Sequence, residues 1–292
     1  MSIPRVTVIC IFLDEERFLG EAVDSVLAQD FADWELLLVD DGSSDGSSAL
    51  ARGYASRDPG RVRYLEHPGH ENRGMSATRN LGFAHARGEF VAFMDADDKW
   101  RPARLREQVA ILDAHPEAGM VCGTANYWQS WAGGEDRLVP TGHLVDAVSM
   151  PPDTSLRLYP LGKADAPCDL LIRRELVERV GGCEEQFRGL YEDIAFHAKL
   201  YLEGGLHLSS KTWFDYRIHP ESCCAAASPH ELRAARRRFL EWFAGYLESR
   251  AQPEESAVLR AVRRERFRLE HPVVSRAAAW IGRYSRRALG RA

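Results

Sequence analysis

Apolar residues fall in short unbroken runs separated by stretches of helical spacing. Val6 to Phe12 (VTVICIF) is a continuous β-branched run of the kind that a strand covered on both faces requires. Phe18, Leu19, Ala22, Val23, Val26 and Leu27 then recur at helical intervals. Trp34 to Val39 predicts a second strand and a helix follows it through Arg52. Val62 to Glu66 predicts a third, followed by the polar loop HPGHENRG and a helix from Ser76 to Ala86. Gly88 ends that helix, and Phe90 to Met94 is a fourth buried strand. Strands alternating with helices over residues 1–115 predict an α/β layer with a mostly parallel sheet.

Beyond Met120 the pattern loosens. Met120 to Thr124 reads as a strand, and Trp128 to Pro167, rich in Gly and Pro, as a wall of loops and short strands. Arg173 to Val180 and Glu192 to Leu202 read as helices, each closed by a glycine pair. Leu206 to Ser209 and Trp213 to Tyr216 read as two further strands.

The strands deliver carboxylates to their C-terminal ends: Asp14 after the first, Asp40 and Asp41 after the second, and Asp95, Asp97 and Asp98 after the fourth. Ligands of parallel sheets bind beyond those ends. Crowded carboxylates stay charged at neutral pH only beside a compensating cation, and a hard ion such as Mg2+ or Mn2+ suits them when substrate phosphates complete its shell. The competing reading is that the Asp cluster caps the helix that Pro102 opens. No GxGxxG or GxxxxGK[ST] pattern is present, which argues against a dinucleotide oxidoreductase and a P-loop nucleotidase. The basic Gly-rich loop of sugar-nucleotide pyrophosphorylases is missing too, because the first strand ends in LDEE.

Composition narrows the class further. With 292 residues and 45% hydrophobic content the chain can bury a sizeable core. Its 6 cysteines show no CxxC spacing, which predicts reduced thiols, no zinc site and a cytoplasmic protein. No leader pattern and no spanning apolar stretch is seen, so neither secretion nor membrane crossing is expected. The net charge of -5 is unevenly spread: residues 230–292 carry 15 Arg against 7 acidic residues, +8, leaving -13 for residues 1–229.

Assembled in order, these segments resemble the family 2 glycosyltransferases, inverting nucleotide-sugar-dependent enzymes of the GT-A fold. The resemblance rests on VTVICIFLDEERFLGEAVDSVLAQDFADWELLLVDDGSSDGS, ENRGMSATRNLGFAHARGEFVAFMDADDKW, LLIRRELVERVGGCEEQFRGLYEDIAFHAKLYLEGG and YRIHPES, spread over residues 4–222. It implies a catalytic domain over residues 1–229, with a nucleotide-sugar half through 125 and an acceptor half from 126, and a basic helical extension over 230–292.

The resemblance also implies roles. Asp40 matches the position that hydrogen-bonds the nucleotide base; Phe12 and Asp14 line base and ribose, with Asp41 and Ala96 in the same donor-lining set. Asp95 belongs near ribose and sugar, Asp97 to the metal, Arg79 near the donor phosphates or sugar, and His219 beside metal and phosphates. Asp193 in YED matches the general base that takes the acceptor's proton, with Glu192 as second candidate. Two departures stand out: Gly181, Gly182 and Cys183 replace the family's GGF, and the wall from Trp128 to Pro167 matches nothing specific. Tyr127, Trp128 and Trp131 are offered there as surfaces for stacking on a saccharide.

The expected activity is sugar transfer from a nucleoside diphosphate, UDP first, to a polysaccharide or lipid-linked acceptor, with Mn2+ or Mg2+. The alternatives are a catalytically silent relative that binds a nucleotide sugar or serves as scaffold, and nucleotidyl transfer. The basic stretches Pro229–Arg250, Val258–Arg268 and Val273–Arg291 suit either an anionic membrane surface or packing with a solvated Arg face. No nucleic-acid-binding motif accompanies the charge.

Overall fold

Every residue of β1 (Val6–Phe12) and β2 (Trp34–Asp40) is buried, as strands covered on both faces must be. The computed structural model describes residues 3–141, 144–162, 169–222, 225, 227–250 and 252–272. It divides into two units, Met1–Ala227 and Ser228–Ala292. In the first, β1 and β2 join β3 (Val62–Glu66), β4 (Phe90–Asp95), β5 (Lys99–Trp100), β6 (Ala118–Trp128), β7 (Arg137–Val139), β8 (Ala147–Ser149), β9 (Leu171–Arg173) and β10 (Gly205–Arg217). One sheet results, ordered β3-β2-β1-β4-β9-β6-β10-β5, with β7 on β6 and β8 on β10.

The half made by β3, β2, β1 and β4 is parallel throughout. The chain steps outward from β1 to β3 and returns to the other side of β1 as β4, so the strand order reverses between β1 and β4. That reversal opens a crevice beyond their carboxyl ends. The other half departs from the expected mostly parallel arrangement. There β6 and β10 run parallel, but β9 pairs antiparallel with both β4 and β6, and β5, β7 and β8 are antiparallel additions. Two- and three-residue strands are too short to carry a period-2 signal, so the sequence pattern does not reveal them.

Alternation along the parallel strands sorts side chains to the two faces. Val8, Cys10, Leu36 and Leu38 meet Leu19, Val23 and Val26 of α1 (Leu19–Leu27). Ile9, Ile11, Leu37, Val39 and Val91 meet Met75, Leu81 and Phe83 of α3 (Met75–His85) on the other. α2 (Ser47–Arg57) lies between them in sequence. A Cβ on Gly82 would stand 2.5 Å from Ile9 Cγ2, so α3 rests directly against the sheet and its first turns are fixed at the rim.

Downstream come α4 (Arg104–Ala114), α5 (Asp153–Arg157), α6 (Arg174–Val180) and α7 (Glu192–Glu203). The two strands expected around Ser210 are one bulged strand, β10, whose register against β6 shifts between Leu208 and Phe214. Asp146 holds the polar bulge by accepting from the Ser210 amide at 2.9 Å and the Ser210 hydroxyl at 2.9 Å. Cys10, Cys122 and Cys183 are buried free thiols; Cys168, Cys223 and Cys224 lie outside the described residues.

The second unit contains α8 (Pro229–Arg250) and α9 (Ser256–Glu270). α8 buries Ala235, Phe239, Leu240, Phe243, Ala244 and Leu247; α9 buries Val258, Ala261 and Val262. Ion pairs Arg236–Glu265 at 3.2 Å and Arg263–Glu248 at 2.8 Å bridge the two helices. Among the described residues no helix is long and apolar enough to cross a membrane. The third basic stretch, residues 273–291, lies outside the described residues.

Candidate active site

The loops beyond β1 and β2 are laced to one another by the acids expected to face a nucleotide. Asp14 adopts φ 55°, a left-handed conformation that Asp tolerates better than most residues, and its Oδ1 accepts from the amides of Ser44 at 2.6 Å and Asp45 at 3.2 Å. Asp40 is fully buried. Its Oδ1 accepts from the Gly42 and Ser43 amides at 3.1 and 2.8 Å, and its Oδ2 from the hydroxyls of Ser48 and Tyr64. Asp41 closes the loop before α3 by accepting from the Arg73 amide at 2.7 Å, the Gly74 amide at 3.0 Å and the Thr78 hydroxyl at 2.8 Å.

Four donors thus occupy the Asp40 carboxylate, two backbone amides and two hydroxyls. Phe12 and Ala96 are also members of the buried core rather than a surface lining. The sequence signal VDDGSSDGS thus marks a loop-building device.

What does reach the crevice begins with β4. Arg79, 7% exposed, donates from Nη2 to Asp95 Oδ1 at 2.9 Å and pairs through Nη1 with Glu192 at the start of α7. The guanidinium therefore joins the end of β4 to the start of α7. Glu192 is 4% exposed. Burial pushes its carboxyl up to about 7, against the pull of Arg79. Its neighbour Asp193 is exposed and accepts only from the adjacent Ile194 amide, at 2.7 Å, among the described contacts. Tyr191, at φ 72°, turns the chain into the helix, and its hydroxyl contacts that of Tyr159. Adjacent acids so acquire opposite settings: Glu192 is anchored and Asp193 is open.

The remaining members of DADD are parted as well. Asp98 is buried and accepts from the Arg217 amide at 2.9 Å. Asp97 Oδ2 stands 3.0 Å from Nε2 of His219, a buried ring whose Nδ1 has no hydrogen-bond partner. None of the three caps α4, which begins at Arg104 without a side-chain cap. The capping reading of the cluster therefore falls away.

One further acid joins them that the sequence analysis did not single out. The Glu15 carboxyl is pushed up to about 7 by burial and then by Asp97, Asp45 and Asp95. Its backbone carbonyl does the capping, accepting from Phe18 and Leu19 amides at 3.1 and 2.9 Å. A group whose folded pKa lies above its unfolded value binds extra protons in the fold between the two. Stability should therefore fall as pH rises from about 4.5 to 7. In Glu15→Gln this part of the slope should vanish in urea titrations of metal-free protein across that range. The comparison with wild type is needed because burial pulls His197 down to about 4, which contributes the opposite slope. An unchanged slope in Glu15→Gln would refute the assignment.

The expected saccharide-stacking aromatics are already engaged. Tyr127 lies between Tyr216, 5.3 Å between ring centroids, and Arg137 at 5.0 Å. Trp128 lies against Arg217 at 4.4 Å and Lys99 at 5.4 Å, and Trp131 against Arg217 at 5.0 Å and Arg17 at 5.4 Å. Cations cover the ring faces that a sugar would need.

Asp97 and His219 bring one oxygen and one nitrogen to a single point. Among the described residues no group of three or more His, Cys, Asp or Glu is arranged to hold a metal by itself. Two protein ligands fit an ion that completes its shell with phosphate oxygens and water, the usual way Mg2+ and Mn2+ serve nucleotide substrates.

With this geometry in hand, comparison with known proteins places the chain. Residues 7–181 match the family model described as Glycosyl transferase family 2. The chain is 38% identical over 112 residues to "Putative glycosyltransferase EpsE" of Bacillus subtilis, covering 38% of this chain and 40% of that protein. It is 36% identical over 110 residues to "Putative teichuronic acid biosynthesis glycosyltransferase TuaG" of the same species, covering 37% and 42%. The matches thus span well under two thirds of these relatives. Among solved structures, S. aureus TarS in complex with UDP-GlcNAc superposes with a TM-score of 0.67 at 20% identity, covering 92% of this chain and 73% of that one. The mannosyltransferase PcManGT from Pyrobaculum calidifontis, in complex with GDP-Man and Mn2+, gives 0.56 at 23% identity, covering 91% and 70%. These two are likenesses of fold, the GT-A fold of their class. On the family match, which covers more than half of its residues, the chain belongs to glycosyl transferase family 2.

Proposed function

We propose that the protein transfers a sugar from a nucleoside diphosphate, UDP in the first instance, to a polysaccharide or lipid-linked saccharide, with inversion at the anomeric carbon. The observation that carries this reading is the separation of two adjacent acids, Glu192 anchored on Arg79 and Asp193 left open beside the crevice. Asp193 takes the proton of an acceptor hydroxyl as its oxygen attacks the anomeric carbon. The bond to the diphosphate breaks on the opposite face, and the pair of electrons leaves with the nucleotide. Glu192 holds Arg79, and Arg79 holds Asp95 at the end of β4. Asp97 and His219 would hold Mn2+ or Mg2+, which when bound neutralises charge on the diphosphate.

A UDP-sugar is supported by the TarS complex with UDP-GlcNAc, and a polysaccharide acceptor by relatives named for teichuronic acid and O-antigen biosynthesis. Calorimetry with a panel of nucleoside diphosphates and their sugars, in Mn2+, Mg2+ or chelator, tests the reading. One nucleotide should bind in a metal-dependent way, and Asp97→Asn should weaken that binding by about 10- to 100-fold. A folded protein that binds none of them would favour the catalytically silent alternative.

The second unit fits a place on the inner face of a membrane. α9 exposes Arg260, Arg263, Arg264, Arg266 and Arg268 around Phe267, which is 49% exposed. Each basic residue near an anionic surface contributes about 1 kcal/mol, less where it is paired with an acid. Vesicles rich in anionic lipid should carry the full chain upward in flotation at low salt but not the chain lacking residues 230–292. Equal flotation of both would remove this placement.

A further inference from the structure

We propose that Arg217 is a positioning residue that sets the Asp97–His219 pair and locks it to the wall formed by the end of β6. The inference rests on the donor and metal reading above.

Arg217 closes β10, two residues before His219, and is 3% exposed. Its Nε donates to the Asp97 carbonyl at 2.6 Å, its Nη2 to Glu21 Oε2 at 2.6 Å, and its own amide to Asp98 Oδ1 at 2.9 Å. The guanidinium lies 4.4 Å from the ring of Trp128, 4.6 Å from Phe18 and 5.0 Å from Trp131. One side chain thereby joins the loop after β4, the start of α1, the end of β6 and the end of β10.

The same groups fix His219. Phe18 packs edge-on against the His219 ring at 5.2 Å and against Trp131 at 5.7 Å. Trp131 Nε1 donates to the Ile218 carbonyl at 3.2 Å, and the Ile218 amide donates to the Trp128 carbonyl at 3.2 Å. The backbone on either side of Asp97 and His219 is held through Arg217 or the rings that cage it. A planar cation with donors along its edges and apolar faces open to the surrounding rings meets these demands together. Lysine offers a single ammonium and no plane, so Arg217→Lys keeps the charge and loses the geometry.

The test is the Mn2+ dependence of UDP binding by calorimetry, with the melting transition followed alongside. Arg217→Lys should melt cooperatively, bind UDP in chelator as wild type does, and need at least about ten times more Mn2+ to reach full enhancement. Trp131→Leu, which removes one ring of the cage from a half-buried turn, should shift the Mn2+ requirement in the same direction by less. It decides the matter alone if Arg217→Lys does not fold. Wild-type Mn2+ dependence in a folded Arg217→Lys, or in Trp131→Leu when only that variant folds, overturns the inference. So does an equal loss of binding with and without metal, which marks a merely structural role. Wild-type protein whose UDP binding ignores Mn2+ would instead sink the metal reading, and this inference with it.

Discussion

Asp193→Asn should lower sugar transfer by about 10²- to 10⁴-fold, the usual contribution of a general base, while the donor binds as before. Asparagine keeps the size and the contact to the Ile194 amide but cannot take a proton. The loss should therefore appear in kcat, read in a single-turnover transfer assay beside calorimetry of the donor. Loss of donor affinity equal to that of Asp97→Asn would show that Asp193 belongs to donor binding and not to proton removal. Glu192 offers the contrast: one oxygen stands against Arg79 and the other is buried without a hydrogen-bond partner.

Arg79→Gln should destabilise the protein by about 3–5 kcal/mol at alkaline pH, where Glu192 is ionised, because it leaves that buried carboxylate without its cation. The sign with pH is fixed by the same group. Without Arg79 the folded pKa of Glu192 rises above its value of about 7, so the deficit is full above the raised pKa and shrinks as pH falls towards 7. Urea unfolding at pH 5 and pH 8 reads both statements. The double variant Arg79→Gln/Glu192→Gln should cost less than the sum of its parts, since it removes both charges together. Strict additivity would mean that the pair does not act as a unit.

The parallel half of the fold was legible because its strands are buried on both faces and read as unbroken apolar runs. β1, β2, β3 and β4 lie within a residue of where the pattern puts them. The remaining strands were less so, because β5, β7, β8 and β9 are only two or three residues long and hydrogen bonding to distant strands, not local pattern, makes them strands. The site shows the same division. Sequence brought Asp95, Asp97, Arg79, Glu192, Asp193 and His219 forward, and the structure pairs Arg79 with Asp95 and Glu192, and Asp97 with His219. Burial and donor count were what sequence could not supply. They turn Asp40 into a loop anchor, put Glu15 among the acids beside Asp97, and reveal Arg217 as a buried hub from a tetrapeptide, YRIH, in which only the histidine had drawn notice.

The lacing of Asp14, Asp40 and Asp41 into neighbouring backbone amides has a thermodynamic consequence for recognition. A rim whose turns are already fastened to each other retains little conformational freedom to surrender when a ligand arrives. Association should then carry a small heat-capacity change, confined to the surface that the ligand itself covers, rather than the large one that accompanies loops folding around a guest. The crevice behaves as a mould cast beforehand, so differences in affinity among the ligands it accepts should reside in how fast each leaves.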